Sequence, residues 1–116
     1  MIDTYFDLWN EPDASRREEL VRSVFTDDGR HVDPLADVQG HDELAAMIAG
    51  VQERFPGHAL TRTSGVDAHH DVLRYTWRLA APDGTVVVDA TDVVELADDG
   101  RFRTVTAFFG APPADG

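Results

Sequence analysis

Apolar residues recur along this chain at two different spacings, and each spacing predicts a different kind of element. Before the Phe55-Pro56-Gly57 segment they repeat every three or four residues, which indicates helices with one buried face. After it they alternate with polar residues, which indicates half-buried strands. The first pattern predicts helices over Ile2–Asn10, from an N-cap at Ser15 to Phe25, and after Gly40-His41-Asp42.

The predicted strands are separated by residues that favour turns. Asp27-Asp28-Gly29 ends the second helix, Asp33-Pro34 closes the strand after it, and two turns containing Asp-Gly separate the last three strands. The strands are Arg30–Leu35, Ala59–Ser64, His70–Leu79, Thr85–Leu96 and Arg101–Phe109. The order ααβαββββ predicts an α+β fold in which helices cover one face of a mostly antiparallel sheet. We expect a single domain over residues 1–110 and a flexible tail over 111–116.

One residue breaks the alternating pattern of the strand Thr85–Leu96. The even positions of this strand are apolar except for Asp92, so the pattern places a carboxyl group on the buried face. An unpaired carboxylate is costly there. Asp92 would need a partner, a proton held by a raised pKa, or a wet cavity. The alternative is a β-bulge or slipped register that turns Asp92 outward.

Composition narrows the chemistry that the chain can support. The 116 residues include no Cys and no Lys, and the formal net charge is −12. Schiff-base, thiol and P-loop chemistry are therefore excluded, and so are disulfides and Cys-based zinc sites. The acidity argues against nucleic acid and anionic membranes as partners. No apolar run is long enough to span a membrane, and the first residues show no signal-peptide pattern, so we expect a cytoplasmic protein.

Other polar residues have a structural interpretation as well as a functional one. Asp33 is also a common residue for opening a turn with Pro34, and Tyr5 lies on an amphipathic helix where a core role is common. His31 and Asp33 share a strand face, but no third ligand is evident, so we predict no metal site. His69-His70-Asp71 is expected to be a solvated loop edge, and Arg74 to form a salt bridge or a dimer contact.

Several short motifs, taken in order, resemble the SnoaL-like group of the nuclear transport factor 2 superfamily, which includes polyketide cyclases and ketosteroid isomerase. The likeness covers nearly the whole chain. The motifs are Tyr5-Phe-Asp-Leu-Trp-Asn, Phe25-Thr-Asp-Asp, Val32-Asp33-Pro34, Gly40, His69-His70-Asp71-Val-Leu-Arg74-Tyr-Thr-Trp77, Thr91-Asp92-Val-Val-Glu-Leu, and Asp99-Gly100-Arg101 followed by Phe108-Phe109-Gly110.

The resemblance implies a cone-shaped barrel, in which a curved sheet and three helices enclose a pocket, and a homodimer packed through the sheet. It also implies catalytic roles by analogy with ketosteroid isomerase, whose chemistry is a known case of carboxyl groups held in different protonation states. The general base would be Asp33, the hydrogen-bonding tyrosine would be Tyr5, and the protonated aspartic acid would be Asp92. In polyketide cyclases one aspartate is the acid/base, which corresponds to either Asp33 or Asp92.

These expectations combine into a hypothesis about function. A carboxylate base could remove a proton α to a ketone while Tyr5 and a neutral Asp92 stabilise the enolate, with no cofactor. The protein would then be an isomerase or cyclase acting on a small hydrophobic carbonyl compound. The alternative is a non-catalytic module for ligand binding or dimerisation. The predicted substrate-binding residues are aromatic or aliphatic: Trp9, Phe25, Ile48, Phe55, Trp77 and Phe108.

Overall fold

A computed structural model describes residues 1–115 of the chain; Gly116, the last residue of the predicted tail, lies outside the described residues. Residues 1–115 form three helices and seven strands. In chain order these are α1 (Ile2–Asn10), α2 (Ala14–Val24), β1 (Phe25–Asp33), β2 (Ala36–Gln39), α3 (His41–Arg54), β3 (Ala59–Arg62), β4 (Asp67–His69), β5 (Val72–Ala80), β6 (Val86–Leu96) and β7 (Phe102–Phe109). The α+β prediction is confirmed.

All seven strands belong to one curved sheet with the order β2-β1-β7-β6-β5-β3, and β4 pairs with β5 beside β3. Only β1 and β7 run parallel; every other pair of the described sheet is antiparallel. The three helices pack on one face of this sheet. No helix within residues 1–115 is both long and apolar enough to cross a membrane.

The core lies between the helices and the inner face of the sheet. Its members are almost fully buried and come from all three helices and from β1, β5, β6 and β7, namely Tyr5, Leu8, Leu20, Val21, Val24, Phe25, Leu44, Ile48, Tyr75, Val94, Phe102 and Val105. In β6 the even positions from Ala90 to Val94 are buried, as the alternation predicts. Asp92 is therefore on the buried face, and no bulge turns it outward.

The boundary between α2 and β1 differs from the sequence prediction. The side chain of Asp13, and not that of Ser15, caps α2 by accepting a hydrogen bond from the Arg16 backbone N–H at 3.3 Å. The helix ends at Val24, and β1 continues through Asp27-Asp28-Gly29, the segment predicted to be a terminator. A register irregularity between Phe25 and Arg30 accommodates these residues, because a bulge can hold turn-forming residues inside a strand.

Two short strands, β2 and β4, were not predicted. Each has only three or four residues, too few for an alternating pattern to be recognised. The β4–β5 turn also moves the start of β5 from the predicted His70 to Val72, and His70 takes a left-handed conformation with φ of 52° in that turn.

Polar side chains fix the end of α1 to the sheet and to α3. The Asn10 amide donates to the Leu60 carbonyl at 2.9 Å and accepts from the Leu60 N–H at 2.8 Å, which attaches α1 to β3. The Gln52 amide donates to the carbonyls of Trp9 and Glu11 at 3.0 and 2.8 Å. These bonds hold Tyr5 and Trp9, on α1, at a defined height above the sheet.

Candidate active site

A cavity of about 560 Å³ lies between α1, the end of α3 and the inner face of the sheet. This volume is in the range of pockets that hold small organic molecules. Its wall is mostly aliphatic and aromatic, and Asp33, His31 and Arg54 are its titratable groups besides Tyr5. The lining residues are Tyr5, Trp9, His31, Asp33, Leu35, Ala36, Met47, Gly50, Val51, Arg54, Phe55, Leu60, Trp77, Leu79, Val87, Val88 and Phe109.

The structure places some of the predicted substrate-binding residues in this wall and others elsewhere. Trp9, Phe55 and Trp77 line the cavity. Phe25 and Ile48 are absent from the wall; both belong to the core, at 1% and 0% exposure. Phe108 is also wrongly placed by the prediction: it is 61% exposed on the outer face of β7. The alternation of β7 turns Phe109 inward, so Phe109 is the residue that lines the cavity.

The hydrophilic centre of the wall is a pair formed by His31 and Asp33 on β1. Residues two apart on a strand share a face, and here the His31 Nε2 and Asp33 Oδ2 atoms are 2.8 Å apart. Asp33 Oδ1 accepts a second hydrogen bond, from the Leu35 backbone N–H at 2.7 Å. Partial burial opposes ionisation of Asp33, but the bonds from His31 and Leu35 outweigh it, and the pKa of Asp33 is lowered.

His31 was predicted only as half of an incomplete metal site, and its membership of the cavity wall was missed. Its side chain is buried at 3% exposure, and its Nδ1 atom has no hydrogen-bond partner within residues 1–115. The indole Nε1 of Trp9 is also buried and unpartnered there, and the two rings lie with centroids 6.1 Å apart. A histidine two residues before an aspartate on the same strand face was the signal that could have identified the pair.

Asp92, which is itself buried, accepts hydrogen bonds from two aromatic side chains of β5. Its Oδ2 accepts from the Tyr75 hydroxyl at 2.7 Å, and its Oδ1 accepts from the Trp77 indole N–H at 2.8 Å. Burial raises the pKa of Asp92, although the bonds from Trp77 and Tyr75 and the nearby His31 act in the opposite direction. Of the three ways to accommodate a buried carboxyl group, hydrogen-bond partners and a raised pKa are both present.

Tyr5 connects the cavity with the Asp92 network. It lines the cavity yet is only 1% exposed, and its pKa is raised well above the usual value, first by burial and then by the charge of Asp92. Its hydroxyl is therefore protonated at neutral pH and able to donate a hydrogen bond. Asp92 itself is not among the lining residues. Tyr5 and Asp33 thus face the cavity, while Asp92 lies behind its wall.

The remaining polar residues singled out in the sequence lie away from this cavity. Arg74 is exposed and forms a salt bridge with Asp67 at 2.8 Å. His69 and His70 are both exposed, His69 at the end of β4 and His70 in the turn that follows it. No group of three His, Cys, Asp or Glu side chains in the described part of the chain is arranged to hold a metal ion.

Comparison with known proteins supplies the family. The SnoaL-like domain family matches residues 2–105. A proposed isomerase of the SnoaL-like family from Agrobacterium tumefaciens is 38% identical, and the similarity covers 95% of this chain and 94% of that one with a TM-score of 0.89. No curated protein shows significant sequence similarity to the chain.

More distant structures share the fold. A proposed SnoaL-like polyketide cyclase from Jannaschia sp. CCS1 is 21% identical over 97% of this chain and 92% of its own, with a TM-score of 0.71. An NTF2-like protein of unknown function from an Exiguobacterium species is 22% identical over 96% of this chain and 98% of its own, with a TM-score of 0.75. This chain belongs to the SnoaL-like domain family, on the NTF2-like fold.

Proposed function

We propose that the protein is a cofactor-free isomerase or cyclase. It would remove a proton from the carbon next to the carbonyl group of a hydrophobic compound held in the cavity. The observation that carries this proposal is an aspartate, Asp33, in an otherwise largely apolar wall, hydrogen-bonded to the buried His31. The SnoaL-like relative from Agrobacterium tumefaciens is described as a proposed isomerase, and the structure from Jannaschia as a proposed polyketide cyclase, which agrees with this class of chemistry.

Asp33 is the proposed general base. Its lowered pKa keeps it ionised at neutral pH, so it is in the proton-accepting form when a substrate binds. The carboxylate takes a proton from the carbon next to the carbonyl, and the electron pair of that C–H bond moves into the enolate. Returning the proton to a different carbon isomerises the compound. Alternatively, the enolate attacks a second carbonyl and closes a ring, and the alkoxide that forms takes the proton from Asp33. Neither outcome changes the oxidation state of the substrate overall.

His31 and Tyr5 are proposed to assist this transfer. His31 holds the Asp33 carboxylate in position through the 2.8 Å hydrogen bond. The Tyr5 hydroxyl, kept protonated by its raised pKa, would donate to the oxygen that gains charge in the enolate. Asp92 is proposed to act only through its neighbours, by fixing Tyr75 and Trp77.

Proton exchange on a model ketone tests the proposal. The α-protons of 2-tetralone exchange for deuterium in D₂O, and NMR follows the loss of their signals. We expect the wild-type protein to accelerate exchange and Asp33→Asn to lose about 100-fold of the acceleration or more. Asp89→Asn is the matched control, since Asp89 is an exposed strand aspartate paired with Arg78 away from the cavity. Exchange that is equally fast in the Asp33→Asn variant would contradict the assignment of the base.

A non-catalytic binding module is the second candidate, and the lowered pKa of Asp33 favours it. A carboxylate with a low pKa is a weak base, which suits hydrogen bonding to a ligand better than proton abstraction. The same experiment separates the two functions. If quenching of tryptophan fluorescence shows that 2-tetralone binds in the cavity but its exchange is not accelerated, the result supports a non-catalytic binding module.

A further inference from the structure

Arg54 is a charged residue of the cavity wall for which the proposed proton transfer has no use. It lies in the last turn of α3, is exposed, and lines the cavity, which places the residue where the cavity meets solvent. Among the described lining residues it is the only Lys or Arg, and Asp33 is the only acidic residue. Within residues 1–115 no salt bridge joins the two; the partner of Asp33 is His31. The cavity therefore carries one cation and one anion that do not neutralise each other directly.

The lack of a partner is unusual for an arginine of this chain. The chain has 22 acidic residues for ten arginines, so acidic partners are abundant. Eight of the ten arginines make a side-chain hydrogen bond or salt bridge within residues 1–115: Arg16, Arg17, Arg30, Arg62, Arg74, Arg78, Arg101 and Arg103. Arg22 and Arg54 make none there, and of these two only Arg54 lines the cavity.

From these observations we infer that Arg54 binds an anionic group of the ligand, and that the substrate class is a hydrophobic carbonyl compound bearing a carboxylate. This inference rests on the cavity being the substrate site of the proposed function. The carboxylate would lie against Arg54 at the rim, the apolar body against the aromatic wall, and the carbonyl against Asp33. A planar guanidinium can bind a carboxylate through two parallel hydrogen bonds.

Local recognition of this kind is needed because the protein as a whole disfavours anions. The net charge of −12 produces a negative field that lowers the concentration of anionic ligands near the surface. Asp33 adds repulsion inside the cavity. A ligand carboxylate is therefore bound only where a cation faces it directly, and the wall offers Arg54 for this purpose. The ligand then has a fixed direction, with its charged end at the rim and its carbonyl next to the proposed base.

A purely structural role for Arg54 is the alternative that the test must separate from ligand binding. A cation in the last turn of a helix stabilises the negative end of the helix dipole. Arg22 also lies in the last turn of its helix, α2, is likewise exposed and unpartnered within residues 1–115, and is absent from the cavity wall. Arg22→Gln is therefore a matched control for Arg54→Gln in charge, helix position and exposure.

The test measures the affinity of adamantane-1-acetate and of its neutral isostere adamantane-1-acetamide. Neither absorbs where tryptophan does, and both tryptophans of the chain line the cavity, so a change in intrinsic fluorescence reports occupancy. We expect the wild-type protein to bind the carboxylate about fivefold more tightly than the amide, the effect of one partly exposed ion pair. Arg54→Gln should abolish this preference, Arg54→Lys should restore part of it, and Arg22→Gln should keep it.

Three results would overturn the inference: no carboxylate preference in the wild-type protein, including no binding of either compound; an unchanged preference in Arg54→Gln; or an equal loss in Arg22→Gln, which would indicate a general field effect. Because the readout is binding, it is independent of catalysis. If the protein accelerates exchange of 2-tetralone but shows no carboxylate preference, the proposed role of Arg54 is wrong and the assignment of Asp33 as the base still stands. If the carboxylate preference depends on Arg54 but exchange is not accelerated, the inferred ligand class is supported and the proposed catalytic function is wrong.

Discussion

Burial of the Asp92 carboxyl group has an energetic cost, and the same group holds two neighbouring aromatic side chains by hydrogen bonds. Asp92 is 1% exposed, and its two carboxyl oxygens accept bonds from Tyr75 and Trp77. These bonds offset part of the cost of burying a carboxyl group, but burial still raises its pKa. The folded protein therefore binds a proton at Asp92 more tightly than the unfolded chain does.

The raised pKa of Asp92 predicts a pH-dependent effect of Asp92→Asn on stability. The stability that Asp92 contributes as a neutral acid is fully present below its unfolded pKa and is lost as the pH rises through the higher folded pKa. Asn keeps an oxygen for Trp77 and an N–H for Tyr75 but does not titrate. We expect the free energy of unfolding of Asp92→Asn, relative to wild type, to increase from pH 4 to pH 7 in urea titrations.

Asp89→Asn provides the control with the opposite sign. Hydrogen bonding to Arg78 lowers the pKa of Asp89, so its contribution is present above the unfolded pKa and is lost as the pH falls. The relative stability of Asp89→Asn should therefore decrease as the pH rises. A pH-independent difference between Asp92→Asn and wild type would show that Asp92 has an ordinary pKa in the folded state.

At the scale of elements, the bulged first half of β1 determines where the cavity wall begins. Phe25 fills the core while its carbonyl accepts bonds from His41 Nε2 at 2.9 Å and Arg101 Nη1 at 3.2 Å. The chain then passes close to the Phe25 side chain at Gly29 before His31 and Asp33 turn toward the cavity. This close approach requires a residue without a Cβ atom, because a Cβ at Gly29 would lie 2.9 Å from two Phe25 carbons.

Comparing the stability effects of two glycine substitutions tests whether Gly29 is required for this close approach. Gly29→Ala should lower the free energy of unfolding by about 1–3 kcal/mol, since Phe25 is packed in the core and cannot move aside freely. Gly50→Ala, in α3 with no atom within 4 Å of the added methyl group, should raise it by about 0.5–1 kcal/mol. Equal effects of the two substitutions in urea unfolding would contradict the close approach at Gly29.

At the scale of the whole molecule, the outer face of the sheet carries an uncovered strip of apolar and β-branched residues. Phe108 is 61% exposed and Val93 is 38% exposed. They lie on neighbouring strands, where Phe108 pairs with Thr91 and Thr106 with Val93. Charged side chains, including Arg74 and Arg78, lie on the same side of the sheet. An apolar strip with a polar border is typical of a protein–protein interface.

We expect this strip to be the contact of the homodimer that the family resemblance implies. Phe108→Asp places a charge at its centre and should convert a dimer into a monomer in multi-angle light scattering, with the fold retained by circular dichroism. Asp98→Asn, in the exposed β6–β7 turn, is a control that should leave the mass unchanged. A monomeric wild-type protein, or a dimer that survives Phe108→Asp, would exclude this interface.

Local sequence determined much of the fold and part of the site. The bounds of α1, the face of β6 that carries Asp92, and the inward side of β5 all follow from short-range periodicity, because a buried stripe must repeat with the period of its own element. The apolar pattern and the family resemblance together selected five residues that line the cavity: Tyr5, Trp9, Asp33, Phe55 and Trp77. It did not find the partnership of His31 with Asp33, although the spacing of the two residues was noted.

Tertiary structure alone decided which inward-facing residues meet the cavity and which fill the core. Phe25 and Ile48 have the same pattern as true lining residues but are covered by neighbouring elements. Asp92 was placed correctly on the buried face, but only the packing of Tyr75 and Trp77 puts it behind the wall. The pattern of one element cannot encode these outcomes, because each depends on what another element places against it.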